Sequence, residues 1–258
     1  MIPQITLTAV PGLPHIQAGD DLGALLLAAL LRSGITLQGG DVLAVAQKVV
    51  SKAEGRQINL GEVTPDARAQ EVAQVTGKDP RLVALILQES EEISRLRQGV
   101  LIVRHRLGFT SANAGIDRSN VPQTGTEATD ETVLLLPIDP DASAARLRQT
   151  LTAHFGVPIG VIITDSHGRP FRLGTVGVAI GVSGIPALWD RRGEADLYGY
   201  RLQHTDVGVA DEIAAAAGLL MGQAAEGTPV VLVRGLTLPA PEGKASDLVR
   251  PRHLDLYR

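Results

Sequence analysis

Residues 161–181 place the groups that phosphate chemistry needs directly after an apolar, β-branched run. Val161, Ile162, Ile163 and Thr164 predict a buried strand, and the chain then breaks into Asp165, Ser166, His167, Gly168, Arg169 and Arg172. Carboxylate and hydroxyl oxygens beside two guanidinium groups can hold a hard divalent cation and an anion together. The glycines that follow let backbone approach a ligand closely. A β-turn with solvated arginines accounts for the same residues equally well, so other segments must decide.

Two segments bear on that decision. Residues 111–120 are small or oxygen-bearing, and Asp117 and Asn120 can offer oxygens or amide donors from one tight turn, although Asp, Asn, Ser and Gly are also the usual turn formers. In Gln47-Lys-Val-Val-Ser-Lys-Ala-Glu-Gly55, a helix would put Lys48 and Lys52 on one face, where their repulsion would be relieved by an anion between them. A pair of solvated surface lysines is the commoner meaning of that spacing.

The elements that must position these groups alternate between strand and helix. Residues 5–10 predict a strand, 21–33 a helix ending at Gly34, and 41–46 a second buried strand that runs straight into Gln47. Thr64-Pro-Asp and Asp79-Pro80 mark two helix starts, and residues 101–104 read as a strand. Asp139-Pro-Asp caps a helix to about residue 154, with Ala144, Leu147 and Leu151 on one face, ahead of the strand that delivers Asp165. An Ala-rich helix over 206–220 and a strand over 230–233 follow, with no internal repeat.

Composition excludes several classes. A length of 258 residues with 44% apolar and 20% charged residues suits a folded globular chain, and the apolar run 22–31 is too short to span a bilayer. A net charge of -4, with one Trp, three Tyr and three Phe, argues against a nucleic-acid partner. The absence of cysteine removes disulfides, thiolate metal sites and a cysteine nucleophile. No P-loop, dinucleotide-binding glycine motif, zincin motif or hydrolase elbow occurs, and the six histidines lack paired ligand spacing. The first residues lack the features of a signal peptide, so a cytoplasmic location is the default expectation, with no membrane partner.

Ordered blocks across nearly the whole chain resemble the coenzyme F420:L-glutamate ligases, also called F420-0:gamma-glutamyl ligases. The blocks are Gly12-Leu-Pro, the 47–55 segment, Ala112-Asn-Ala-Gly-Ile-Asp-Arg-Ser-Asn120, Leu135-Leu-Pro-Ile-Asp-Pro-Asp141, Thr164-Asp-Ser-His-Gly-Arg-Pro-Phe-Arg172, and Asp211-Glu through Gly222. Those holding Asp117 and Asp165 are the specific ones. The resemblance implies an α+β, two-lobed subunit in an intertwined homodimer, here a single module over 1–258 without the reductase-like domain fused to some bacterial relatives.

It also implies GTP-dependent addition of L-glutamate to F420-0 through an acyl phosphate, then a gamma-linked glutamate on F420-1. Asp117 and Asp165 match ligands of one Mg2+ or Mn2+, and Ser166 and Gln223 match those of a second. A monovalent cation such as K+ is a further expected cofactor. By the same matching, Leu13, Pro14, His15, Ile16, Gln47, Lys48, Lys52, Asn120 and the loop Met221, Gly222, Gln223, Ala224, Ala225, Glu226, Gly227 and Thr228 would contact GTP. Asp117, Asp165 and Lys52 are the candidate catalytic residues, Lys52 as a flexible point cation on the transferring phosphate. By chemistry rather than matching, Arg169 and Arg172 are candidates to clamp a substrate carboxylate or phosphate. Ser166 stands where the family more often has threonine, Gln47 where serine is common, and His15 where an aliphatic residue is usual. These departures bear on base selectivity more than on the reaction. The alternatives are a non-catalytic nucleotide- or F420-binding protein on the same scaffold, or a ligase for another amino acid or acceptor.

Overall fold

The computed structural model describes residues 2–123, 131–238 and 241–255. The chain opens with strand β1 (Thr6–Ala9), helix α1 (Leu22–Arg32), strand β2 (Val42–Ala46) and helix α2 (Gln47–Ala53). It continues through β3 (Gln57–Asn59), α3 (Ala67–Thr76), α4 (Pro80–Gln88), β4 (Ser90–Arg97), β5 (Val100–His105), β6 (Thr110–Ala112) and β7 (Thr132–Leu134). The last part holds α5 (Pro140–Phe155), β8 (Gly160–Arg169), β9 (Arg172–Ser183), β10 (Trp189–Asp190), β11 (Asp206–Val207), α6 (Val209–Met221) and β12 (Val230–Arg234). The architecture is α+β, as expected.

The main sheet has the order β1-β12-β2-β8-β9. Only β2 and β8 pair in parallel; β1 with β12, β12 with β2, and β8 with β9 are antiparallel. β2 is Val-Leu-Ala-Val-Ala, an apolar run rather than an alternating one, because both sheet faces are covered. On one face Leu43, Val45 and Ile163 pack with Leu26 and Leu30 of α1 and Leu147 and Leu151 of α5. On the other, Ala44, Ile162 and Val231 pack with Ile213, Ala214 and Ala217 of α6. α5 and α6 reach β9 through glycines: a Cβ at Gly181 would lie 2.4 Å from Pro140 O, and one at Gly177 the same distance from Ala214 O.

A second, smaller core forms where α3, α4 and β5 bury Val72, Val83, Ile86, Leu101 and Val103. β4, β5 and β6 make a three-stranded sheet there. The turn after β6 has three successive left-handed residues, Asn113, Ala114 and Gly115, at φ +52°, +55° and +67°. This turn carries the chain directly to Asp117, which exchanges two backbone hydrogen bonds of 2.9 Å with Leu134.

Four local expectations are corrected. The polar cluster does not end its strand: Asp165 to Gly168 stay paired with Thr175 to Val178, because β9 folds back as an antiparallel partner and satisfies their backbone groups. The helix expected at Thr64 begins at Ala67, where the Asp66 carboxylate accepts from Ala69 N at 2.7 Å. The Ala-rich helix starts at Val209, since Asp206 pairs with Asp190 in a short ladder. Asp117 is held by a β-bridge rather than by a tight turn alone.

A carboxylate–amine site at one end of the sheet

Strand direction gathers distant segments at one edge of the main sheet. Ala9 pairs with Val231, Val45 with Val230, and Ala46 with Thr164, so β1 and β2 end where β12 begins, and β8 runs on past that edge with Asp165 just beyond it. Val10 N and Ala46 N close that edge by donating to Val230 O at 2.9 Å and Pro229 O at 2.8 Å. The Leu13–Ile16 loop, the start of α2, Asp165 and the 221–228 loop therefore share one end of the sheet.

Asp117 sits among them. Gln47 Nε2 donates to its Oδ2 at 2.5 Å, and the Lys48 ammonium forms an ion pair with the same oxygen. Gln47 is buried and is itself oriented by Ser51 Oγ, which donates to Gln47 Oε1 at 2.9 Å. Burial pushes the Asp117 carboxyl above the usual carboxylate range; Lys48 opposes that rise and the nearby Asp165 charge adds to it. Two carboxylates with oxygen donors close by are a hard-cation arrangement, and a dication would relieve their mutual repulsion. No group of three or more His, Asp or Glu side chains close enough to hold a metal occurs among the described residues, so Ser and Gln oxygens would have to complete a ligand set.

One turn further along α2, Lys52 Nζ donates to Asn120 O at 2.7 Å. Burial, then the Lys48 charge, lowers the Lys52 pKa from the ordinary lysine value, while Asp117 raises it. The anion expected between the two lysines is thus partly supplied by Asp117. Asn120 Nδ2 donates to Ala224 O at 2.7 Å and ties the Asp117 segment to the 221–228 loop. That loop is shaped from within: Glu226 Oε2 accepts from Ala224 N at 2.8 Å and Thr228 Oγ1 donates to Leu220 O at 2.7 Å. Its Gln223, Ala224 and Ala225 are exposed, as are Pro14 and His15, whereas Ile16 is buried in the core.

Alternation along β8 sorts the remaining candidates. Asp165 and His167 share a face, and His167 Nε2 lies 3.0 Å from Asp165 Oδ2. Ser166 points to the opposite face, where the neighbouring Thr164 Oγ1 meets Met221 Sδ at 3.7 Å. Of the second expected cation pair, Ser166 accordingly faces α6, while Gln223 lies in the 221–228 loop that Asn120 ties to the Asp117 segment. Arg169 and Arg172 pair with each other at the hairpin tip, where Arg169 Nη2 donates to Leu173 O at 3.3 Å. Four residues along a strand is roughly 13 Å, so the backbone of this tip stands well away from that of Asp165.

The pairing of His167 with Asp165 was not anticipated from sequence. The signal was present as an i, i+2 spacing, but it has meaning only once the segment is known to be strand.

The mixed sheet, with two carboxylates and two amines gathered at one end of it, defines an α+β protein with a charged polar site. The chain belongs to the F420-0:Gamma-glutamyl ligase family, whose sequence model matches residues 12–235. It is 48% identical to the Coenzyme F420:L-glutamate ligase of Methanothermobacter thermautotrophicus over 256 residues, 98% of this chain and 99% of the relative. The protein of the same description from Methanopyrus kandleri is 48% identical over 100% of this chain and 99% of its own length, and that from Methanocaldococcus jannaschii is 42% identical over 95% and 94%.

Proposed function

We propose that this chain is a GTP- and divalent-metal-dependent ligase that joins L-glutamate to coenzyme F420-0 and then adds a gamma-linked glutamate to F420-1. The observation that carries the reading is the junction of Lys48, Asp117, Lys52, Asn120 and the 221–228 loop by direct contacts, beside Asp165. Family membership over residues 12–235 supports the choice of acceptor and amino acid.

A carboxylate does not react with an amine until it carries a leaving group. In the proposed reaction an acceptor carboxylate oxygen attacks the GTP gamma-phosphorus, the bond to the bridging oxygen breaks, and GDP leaves. The glutamate amine, having lost a proton, then attacks the acyl carbon, and phosphate departs as the C–N bond forms. Lys52 would follow the transferring phosphoryl group. Its ammonium is half-buried and beside another cation, so a phosphate oxygen arriving there restores what burial and Lys48 remove. Asn120 would hold the nucleotide loop against the Asp117 segment, which limits the freedom of the reacting groups. Asp117 and Asp165 would hold one Mg2+ or Mn2+, Ser166 and Gln223 a second. Bound there, such ions neutralise charge building on phosphate oxygens. A monovalent cation such as K+ would assist at the same phosphates.

We further assign the protein to the cytoplasm, as a single module and a homodimer. Phe171 and Leu173 at the β8–β9 tip are 95% and 98% exposed, which suits a tip that is covered in the assembly. No described helix is long and apolar enough to cross a membrane.

The test is to incubate the purified protein with F420-0, L-glutamate, Mn2+ or Mg2+, and GTP or ATP in parallel, following products by mass. A glutamyl increment that requires GTP and metal is expected, and one or two increments would count the residues added. Nucleotide binding with no increment under any condition would overturn the reading.

A further inference from the structure

Three rings lie in line between the smaller core and Asp165. The His105 ring is fully buried and accepts from Leu107 N through Nδ1 at 3.0 Å, which places its proton on Nε2, 3.7 Å from Glu89 Oε2. Phe109 stacks on it with centroids 5.1 Å apart and an interplanar angle of 8°. Phe109 in turn lies 4.8 Å from the His167 ring at 49°. His167 reaches Asp165 Oδ2 at 3.0 Å, and both side chains are nearly enclosed, at 11% and 12% exposure. The base of this line is rigid: Glu89 also receives Arg56 at 2.9 Å and Arg106 at 3.1 Å.

We infer that His167 is a positioning residue for Asp165, with Phe109 setting the plane of its ring. The inference rests on the reading of Asp165 as a cation ligand. An ionised carboxylate only accepts hydrogen bonds, so His167 must present Nε2–H to it. That bond occupies Oδ2, fixes the plane of the carboxylate and leaves Oδ1 for the cation. The carboxylate could otherwise turn about its terminal bond, a broad torsion with little intrinsic preference. Partners of this kind behind a metal ligand typically change cation affinity 10- to 100-fold. Phe109 acts one step further back, because its contact with His167 blocks rotation of the imidazole out of line.

The test is a Mn2+ titration of the full chain read by electron paramagnetic resonance, with GTP affinity and thermal melting measured in parallel. His167→Phe keeps a ring against Phe109 but removes the donor; it should weaken Mn2+ binding at least about 10-fold. GTP affinity and melting should stay close to the parent's. His167→Gln, whose amide nitrogen can stand near the imidazole Nε2 position, should restore most of the loss, and Phe109→Leu should give a smaller loss. Parent-like Mn2+ affinity in His167→Phe, with Asp165→Asn defective, would overturn the positioning role and leave the cation reading intact. Parent-like Mn2+ affinity in Asp165→Asn would overturn the cation reading and this inference with it. Should His167→Phe melt early, the comparison of His167→Gln with His167→Asn decides: equal Mn2+ affinities in those two would overturn the proposal, since only the longer amide reaches Asp165.

Discussion

Lys48 and Asp117 meet as an ion pair although one lies in the first turn of α2 and the other follows the left-handed turn after β6. The pair joins the main sheet to the segment carrying the smaller core. It also sets Asp117 against Asp165, whose charge helps to raise the Asp117 pKa.

Asp117→Asn removes the counter-charge shared by Lys48 and Lys52. Ligation should fall at least about 100-fold, the scale seen when a charge-stabilising group is lost. The Lys52 pKa should drop further, because Asp117 is what raises it. Product formation by mass together with the pH dependence of Lys52 modification checks both.

Asp165→Asn is nearly isosteric and should leave the fold intact while abolishing turnover. A near-normal rate in the glutamyl mass assay, at unchanged melting temperature, would contradict the role given to Asp165.

Asn120→Ala cuts the link to Ala224 O while leaving the Asn120 carbonyl, made by the backbone, on Lys52. The expected effect is a rise of roughly 10-fold in KM for GTP, equal to about 1.4 kcal/mol, with a smaller change in kcat. A fall in kcat with KM unchanged would place Asn120 in the chemical step instead.

Glu89 gives a pH-dependent stability. Burial alone would raise its carboxyl, but His105, Arg56 and Arg106 outweigh burial and hold it down at about 2, against 4.5 for the free group. Its contribution is complete above about 4.5 and is lost as pH falls from there through about 2. Its size at neutral pH is roughly 3 kcal/mol. In urea unfolding, Glu89→Gln should be clearly less stable than the parent at pH 7, with the gap narrowing toward pH 3. A gap that stays constant with pH would exclude this account.

Gly177→Ala and Gly181→Ala would each set a Cβ 2.4 Å from backbone oxygen, of α6 and α5 respectively. Backbone cannot step aside as a flexible side chain can, so each should cost at least about 1–3 kcal/mol by overpacking. Thermal melting of the two variants measures it.

Much of this was readable without coordinates. The β-branched runs at 42–46 and 161–164, the Asp21, Asp79 and Asp139 caps and the i, i+4 lysine pair all depend on near neighbours, and local physics decides them. The ordered blocks around Asp117 and Asp165 likewise indicated the family. Tertiary structure alone decided which groups meet. Asp165 could not be assigned to a strand or a loop until β9 folded back to pair with it. Only then did it and His167 fall on one face, with Ser166 on the other. Asp117 lies 70 residues from Gln47 in the chain, and Asn120 lies 104 from Ala224; no periodicity spans such separations. The contacts exist because β1 and β2 finish at the end of the sheet where β12 starts and β8 carries Asp165 just past it, a consequence of strand pairing that no single segment encodes.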